Sequence, residues 1–204
     1  MRKSAPDSHR HTALPSDLFL VTVYCDPGLL CGEPDEGRDV EVVVSALRTR
    51  PTEFRSAGGG ELAVALLTPL GLLQAFRTPV EGLTDCRLPL AYFGGWNEQR
   101  ALRHALAAAG SPQERLHRLS AWLERRISDT RALAGPQRRV SQAAMILYAS
   151  AGVPPSTDAV AAQVSVGRRQ LERDFRRWLG VSPGNYTRLV RFQRAAASCW
   201  RAAN

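Results

Sequence analysis

The sequence predicts an α+β protein, a small mixed region with a few-stranded sheet and helices followed by an all-α helix-turn-helix unit. Three observations predict it. Three short runs rich in Val and Leu (Leu18–Cys25, Val40–Leu47 and Glu61–Thr68) lie near the start, separated by turn formers such as Asp26-Pro27-Gly28, Gly32-Glu33-Pro34-Asp35 and Gly58-Gly59-Gly60. From Pro69 onward the apolar residues recur at helical rather than alternating spacing. The charge is segregated. The 204 residues carry a formal net charge of +8, yet residues 1–129 are near neutral. Beyond them twelve arginines face only Asp158, Glu172 and Asp174. A basic unit joined to a neutral one points to a polyanion-binding module carried by something else.

Residues 1–17 mix charge, Ser, His and Pro without periodicity and predict a disordered tail. Residues 18–129 form the N-terminal region, whose three runs suit a small antiparallel sheet. Its helical part is interrupted at Pro79, Gly82, Pro89 and Gly94-Gly95. Glu98–Ala109 then places Leu102, Ala105, Leu106 and Ala109 on one face. After Gly110, Ser111 caps a second helix with Pro112 at its first position and a stripe of Leu116, Leu119, Trp122, Leu123 and Ile127. Phe54, Phe76, Trp96 and Trp122 are expected in the core. Residues 130–135 make a linker, and the helical unit runs over 136–204.

Within that unit Val140–Ala151 predicts one helix. Ser156 or Thr157 caps a short second helix with Asp158 in its first turn and Val160, Ala161 and Val164 inward. The turn Ser165-Val166-Gly167 leads into Arg168–Leu179, and short helix, tight turn and longer helix make a helix-turn-helix. Leu171, Phe175, Trp178 and Leu179 form its buried stripe. At about 100° per residue, Arg169, Arg173 and Arg176 gather opposite, with Glu172 and Arg177 at the edges. Arg168 and Arg169 occupy the first turn, where the helix dipole disfavours positive charge, and a local rule broken there marks a functional site. Such a helix fits a DNA major groove, with Arg169 and Arg173 placed for base edges and Arg168, Arg176 and Arg177 for phosphates. Gly180-Val181-Ser182-Pro183 stops this helix, and Asn185–Arg201 starts another. There Tyr186, Leu189, Val190 and Ala197 face inward, and Arg188, Arg191 and Arg194 face outward.

The run Val160-Ala161 … Arg169-x-Leu171-x-Arg173-x-Phe175 … Gly180-Val181-Ser182-Pro183-x-x-Tyr186 … Arg191-Phe192-Gln193-Arg194-Ala195 resembles the AraC/XylS family of bacterial transcription regulators. The resemblance covers about 65 residues and implies base contacts from Arg169, Glu172 and Arg173, with Arg188 joining the phosphate set. The sequence departs from the family at Ser165, where Gly is usual, and a left-handed backbone there costs about 1–2 kcal/mol. It departs at Gly167, where a Ser cap is usual. The family carries two helix-turn-helix units, whereas this sequence closes at Asn204 inside the helix that would join them. Thr68-Pro69-Leu70-Gly71 and Leu83-Thr84-Asp85-x-Arg87-x-Pro89-Leu90 are similar to the regulatory region of some members, which implies effector sensing or dimerisation. The partners implied are double-stranded DNA, RNA polymerase, a second copy of the chain and a small-molecule effector.

Enzyme chemistry finds no support. Gly58-Gly59-Gly60 lacks the Lys-Ser/Thr of a phosphate loop, and no Gly-x-Ser-x-Gly elbow occurs. Cys25, Cys31, Cys86 and Cys199 lack metal-ligand spacing, so reduced thiols and no metal or cofactor are expected. No apolar run is long enough to span a bilayer, and a cytoplasmic location is expected. Two other readings stay open. One is a protein-interaction regulator acting on other regulators or polymerase without touching DNA. The other is a small-molecule binding protein with a vestigial DNA-binding tail, its ligand sought between the sheet and the helices after Pro69.

Overall fold

The computed structural model describes residues 8–25, 41–57, 61–128, 132–150 and 154–203. Strands β1 (Ser8–Ala13), β2 (Phe19–Tyr24), β3 (Glu41–Ser45), β4 (Thr52–Ala57) and β5 (Leu62–Leu67) come first, then α1 (Pro69–Ala75) and β6 (Arg87–Pro89). Six helices follow, α2 (Ala91–Ala107), α3 (Pro112–Ser128), α4 (Gly135–Ala149), α5 (Thr157–Gln163), α6 (Arg168–Leu179) and α7 (Pro183–Ala203). The α+β class expected from the sequence is the one observed.

The three Val- and Leu-rich runs become β2, β3 and β5 of one antiparallel sheet in the order β5-β2-β3-β6. Their alternation sends Phe19, Val21 and Val23 of the central strand to one face, where all three are fully buried with Val42 and Val44 of β3. Leu72 and Leu73 of α1, Leu102 and Leu106 of α2, and Leu119, Trp122 and Leu123 of α3 join them in the same buried cluster. β6 is an edge strand, so Pro89 costs the sheet no ladder hydrogen bond. α1 starts where Thr68 Oγ1 accepts the Gly71 N–H at 3.2 Å and Pro69 takes the first turn. α3 starts where Ser111 Oγ accepts from Glu114 N–H at 3.2 Å, the cap expected from the sequence.

Several sequence expectations are corrected. The stretch 8–13, read as part of a disordered tail, is β1, paired antiparallel with β4 over Ser8↔Ala57 to Ala13↔Thr52. Neither strand carries an apolar alternation, so nothing in the pattern marks them, while residues 1–7 lie outside the described set. The turn at 32–35 and Gly58-Gly59-Gly60 lie outside it as well. Trp96, expected in the core, is 66% exposed, because Gly95 adopts φ 81° and kinks α2 just before it. Phe76 and Trp122 are buried as expected, and the Phe54 side chain is not among those described. Leu116 is exposed, while Arg115 beside it pairs with Glu61 just before β5. Ala105 and Ala197 also face solvent, beyond the reach of the elements packed on α2 and α7.

The buried cluster continues without a break into the helix-turn-helix unit through Val140, Ala144 and Leu147 of α4, Leu171, Phe175 and Leu179 of α6, and Tyr186, Leu189 and Val190 of α7. A second tie is polar. The loop after α1 reaches the end of α6, where Val80 N–H donates to Arg177 O at 2.9 Å and Thr84 Oγ1 donates to Gly180 O at 2.7 Å. These bonds satisfy carbonyls that a helix C-terminus otherwise leaves open. Gly180 closes α6 at φ 78°, and a Cβ there would lie 2.8 Å from Thr84 Oγ1 and 3.0 Å from Val80 O.

Asp17, 5% exposed, packs in the same seam, where burial pushes its carboxyl pKa up against the opposing pull of its own backbone hydrogen bond and of Arg194.

Two outcomes follow from this packing. Gly180→Ala should destabilise the chain by about 1–3 kcal/mol in denaturant titration, through strain and a lost loop contact, while Gly184→Ala, with open space around it, stabilises or leaves it unchanged. With its folded pKa raised, Asp17 contributes stability below its unfolded pKa that is lost as pH rises through the folded one. Asp17→Asn should therefore gain stability relative to the native chain as pH rises above the ordinary aspartate range, read as the difference of their melting temperatures at each pH.

Candidate nucleic-acid interface

α5, its turn and α6 form the helix-turn-helix anticipated from the sequence. Ser156 is the cap of α5, its Oγ accepting the Ala159 N–H at 3.1 Å, and Asp158 follows in the first turn. Val160 and Ala161 are fully inward. The turn closes by Val166 N–H reaching Ala161 O at 3.0 Å, a bond that needs a left-handed residue between them, and Ser165 supplies it at φ 57°. Gly167 then enters α6 in an extended conformation with no side-chain cap.

α6 is oriented by one buried carboxylate. Asp174, 5% exposed, accepts from Arg139 Nη2 of α4 at 3.0 Å and from Gln170 Nε2 at 2.7 Å. With Leu171, Phe175 and Leu179 fully buried beside it, the opposite face carries Arg169, Arg173, Arg176 and Arg177 in solvent. The half-buried Trp178 packs on the core, and Arg177 lies over its ring at 5.5 Å.

The outward face is less self-repelling than the sequence implies. Arg168 pairs with Glu172 at 3.0 Å and with Asp158 of α5 at 3.2 Å, and Glu172 also meets Arg176 at 3.7 Å. The hydrogen bond to Glu172, more than the charge of Asp158, raises the Arg168 pKa still further. Arg173 donates to Gln170 Oε1. Arg169 makes no ion pair or side-chain hydrogen bond among the described residues. Thus Arg168, Glu172 and Arg176 form one chain of charges at the edge of the face, and Arg169 and Arg173 occupy its centre. Arg188 projects into solvent from α7 beside Asn185.

Two roles were not legible in the sequence. Asp174 looks there like one more surface acid, and Arg139 like one more surface base. Arg194, expected to point outward, is half-buried instead. It donates to Tyr148 O and Ser150 O and lies over the Tyr148 ring at 5.4 Å, closing the carbonyl end of α4. The signal lies in helix ends, since the last carbonyls of α4 need more donors than the one that Ser150 Oγ gives to Ile146 O at 2.8 Å. Cys25 is half-buried, with its thiol pKa pushed up by burial, while Cys86 and Cys199 are exposed and Cys31 lies outside the described residues. Among the described residues no cluster of His, Cys, Asp and Glu could hold a metal, and no helix is long and apolar enough to cross a membrane.

The chain matches no family model and no solved structure. It is 35% identical over 95 residues to the HTH-type transcriptional regulator ArgR of Pseudomonas aeruginosa, a match that takes in 45% of this chain and 29% of that protein. The chain thus spans under a third of that relative's length while sharing similarity with a helix-turn-helix regulator.

The left-handed Ser165 gives a direct test of the turn. Ser165→Gly should stabilise the chain by about 0.5–1 kcal/mol, the relief of strain being partly offset by a more flexible unfolded chain, and calorimetry should show a rise in melting temperature of about 1–4 °C.

Proposed function

We propose that this chain is a DNA-binding transcription regulator of the AraC/XylS type, which sets the N-terminal half of α6 in the major groove. The observation that carries the reading is the placement of Arg169 and Arg173 at the solvent centre of a helix whose opposite side is locked to α4. Similarity to a helix-turn-helix transcriptional regulator supports it. The protein acts here through non-covalent contacts alone, with no catalysis and no cofactor.

The charges along α6 give the reading a mechanism. Arg169 and Arg173 are in reach of guanine O6 and N7, each through two hydrogen bonds. Arg168 and Arg176 hold Glu172 in the free protein. Phosphates compete for those two guanidinium groups, and Glu172, once released, accepts from a cytosine amino group. Arg177 and Arg188 add phosphate contacts at the flanks, fixing register without reading sequence. Two copies bound to half-sites about one helical turn apart would double the contacts.

The exposed Phe192 and Trp200 on α7 favour a second reading, a regulator that binds another protein through that helix. Salt separates the two, since displaced counterions make DNA binding steeply salt-dependent and an apolar contact is not.

Fluorescence anisotropy of labelled duplex from the gene's upstream region should give a log K against log salt slope of about −3 to −4 for some four phosphate contacts. Arg169→Ala/Arg173→Ala should weaken binding to the preferred duplex by about 2–5 kcal/mol and flatten discrimination among sequences. An equal loss on every sequence would mean that these two arginines touch only backbone. A folded chain that binds no duplex even at low salt would leave the protein-interaction reading in its place.

A further inference from the structure

A cavity of about 370 Å³ lies in the seam between the N-terminal region and the helix-turn-helix unit. Leu18 and the start of α1 (Pro69, Leu70) form one wall, Ala144 and Met145 of α4 the other, and Tyr186 of α7 lines it from below. Most of the lining is carbon, with hydroxyls on Thr68, Ser141 and Tyr148, and Met145 and Tyr148 form an exposed rim. Both walls are tied down, by the Thr68 cap on one side and by the packing of α4 against α6 and α7 on the other, so the space is preformed. The structure holds a larger cleft of about 950 Å³ beside α1 and α3, but its inward cation, Arg126, is already taken up by Glu98 and Ala75 O.

One polar group in the smaller cavity is unspent. Tyr186 is 1% exposed, its ring packs edge-on against Phe175 of α6 at 6.2 Å, and its hydroxyl makes no hydrogen bond among the described residues. The hydroxyl is not among the side-chain atoms sealed from solvent without a partner, so its proton is open to whatever fills the space beside it. Burial, Asp17 and Tyr148 all raise its pKa, so the group stays neutral and keeps a proton to donate.

We infer that this seam is a binding site for a small neutral aromatic molecule with one oxygen acceptor, the ring lying between Pro69, Leu70 and Met145 and the acceptor taking the Tyr186 hydroxyl proton. The size fits. A dry apolar cavity of about 150 Å³ takes benzene, and ligand pockets begin near 300 Å³, so a substituted single ring fills this one. Charge is disfavoured by the mostly carbon walls, which offer an ion hydroxyls but no opposite charge in exchange for its hydration. The ligand touches Leu18 and α1 on one side and α4 and α7 on the other. Its binding therefore stabilises the contact between the two regions, and any effect on DNA affinity rests on the function proposed above. The site itself does not, and is tested without DNA.

The probe is acetophenone, whose carbonyl is the acceptor, against isopropylbenzene, which has the same number of heavy atoms and no acceptor. Titration calorimetry and ligand-observed NMR on the full chain should show one saturable site that prefers acetophenone. Tyr186→Phe, which keeps the ring, should weaken acetophenone by about tenfold, the equivalent of about 1.4 kcal/mol, and change isopropylbenzene by less than twofold. Leu70→Trp, and Met145→Trp at the exposed rim, should abolish both while circular dichroism stays native. No saturable binding of acetophenone, or an unchanged acetophenone-to-isopropylbenzene ratio in Tyr186→Phe, overturns the inference. If DNA binding fails while this titration succeeds, the site stands and the regulator reading falls.

Discussion

The surface of α6 depends on the carboxylate of Asp174, which is buried against α4. A helix with four exposed arginines on one side could roll about its axis, since apolar packing alone fixes rotation loosely. Asp174 removes that freedom, because Arg139 of α4 and Gln170 of the same helix both reach it. Placing charge in the core brings a desolvation penalty of several kcal/mol per ion that the pair must offset, so its value lies in orientation more than in net stability. With that bond in place, Leu171, Phe175 and Leu179 can only face inward, and Arg169 and Arg173 can only face out.

The same logic runs through the contacts between the two regions. α4 stands at the centre, touching α1 of the N-terminal region and α5, α6 and α7 of the helical one. Its carbonyl end is closed by Arg194, and the carbonyl end of α6 is closed by the loop around Val80 and Thr84. Each of these two helix ends is therefore satisfied in part by a distant segment, and movement of the N-terminal region is felt at α6 through hydrogen bonds as well as through packing. Gly180 allows the loop to come this close, since any side chain there would occupy the space that Thr84 and Val80 fill.

Much of this was legible in the sequence wherever one pattern and one cap agreed. The Val- and Leu-rich run Leu18–Cys25, Ser111 before Pro112, Ser156 before Asp158 and the stripe of α6 each marked an element whose bounds shift by only a residue or two in the structure. β1 and β4 were not legible, because strands composed largely of Ser, His, Arg, Thr and Glu carry no apolar period in the sequence. Trp96 was misplaced because a glycine kink re-aims side chains without changing composition. In the candidate site the outward arginines followed from helical geometry alone. The pairs Arg168–Glu172 and Glu172–Arg176 stand at i,i+4 spacing on α6 and could have been read there. Arg139 for Asp174 and the α4 carbonyls for Arg194 lie on another helix, about which spacing along one helix says nothing.

Hydrogen–deuterium exchange of the full chain, with and without a saturating duplex at low salt, tests most directly whether α6 is the surface that meets DNA. Slowed exchange is expected at the start of α5, the turn through Ser165 and the first two turns of α6, with the buried β2 and α3 unchanged. Protection centred on α7 around Phe192 and Trp200, or on the kinked start of α2, with none on α6, would contradict it.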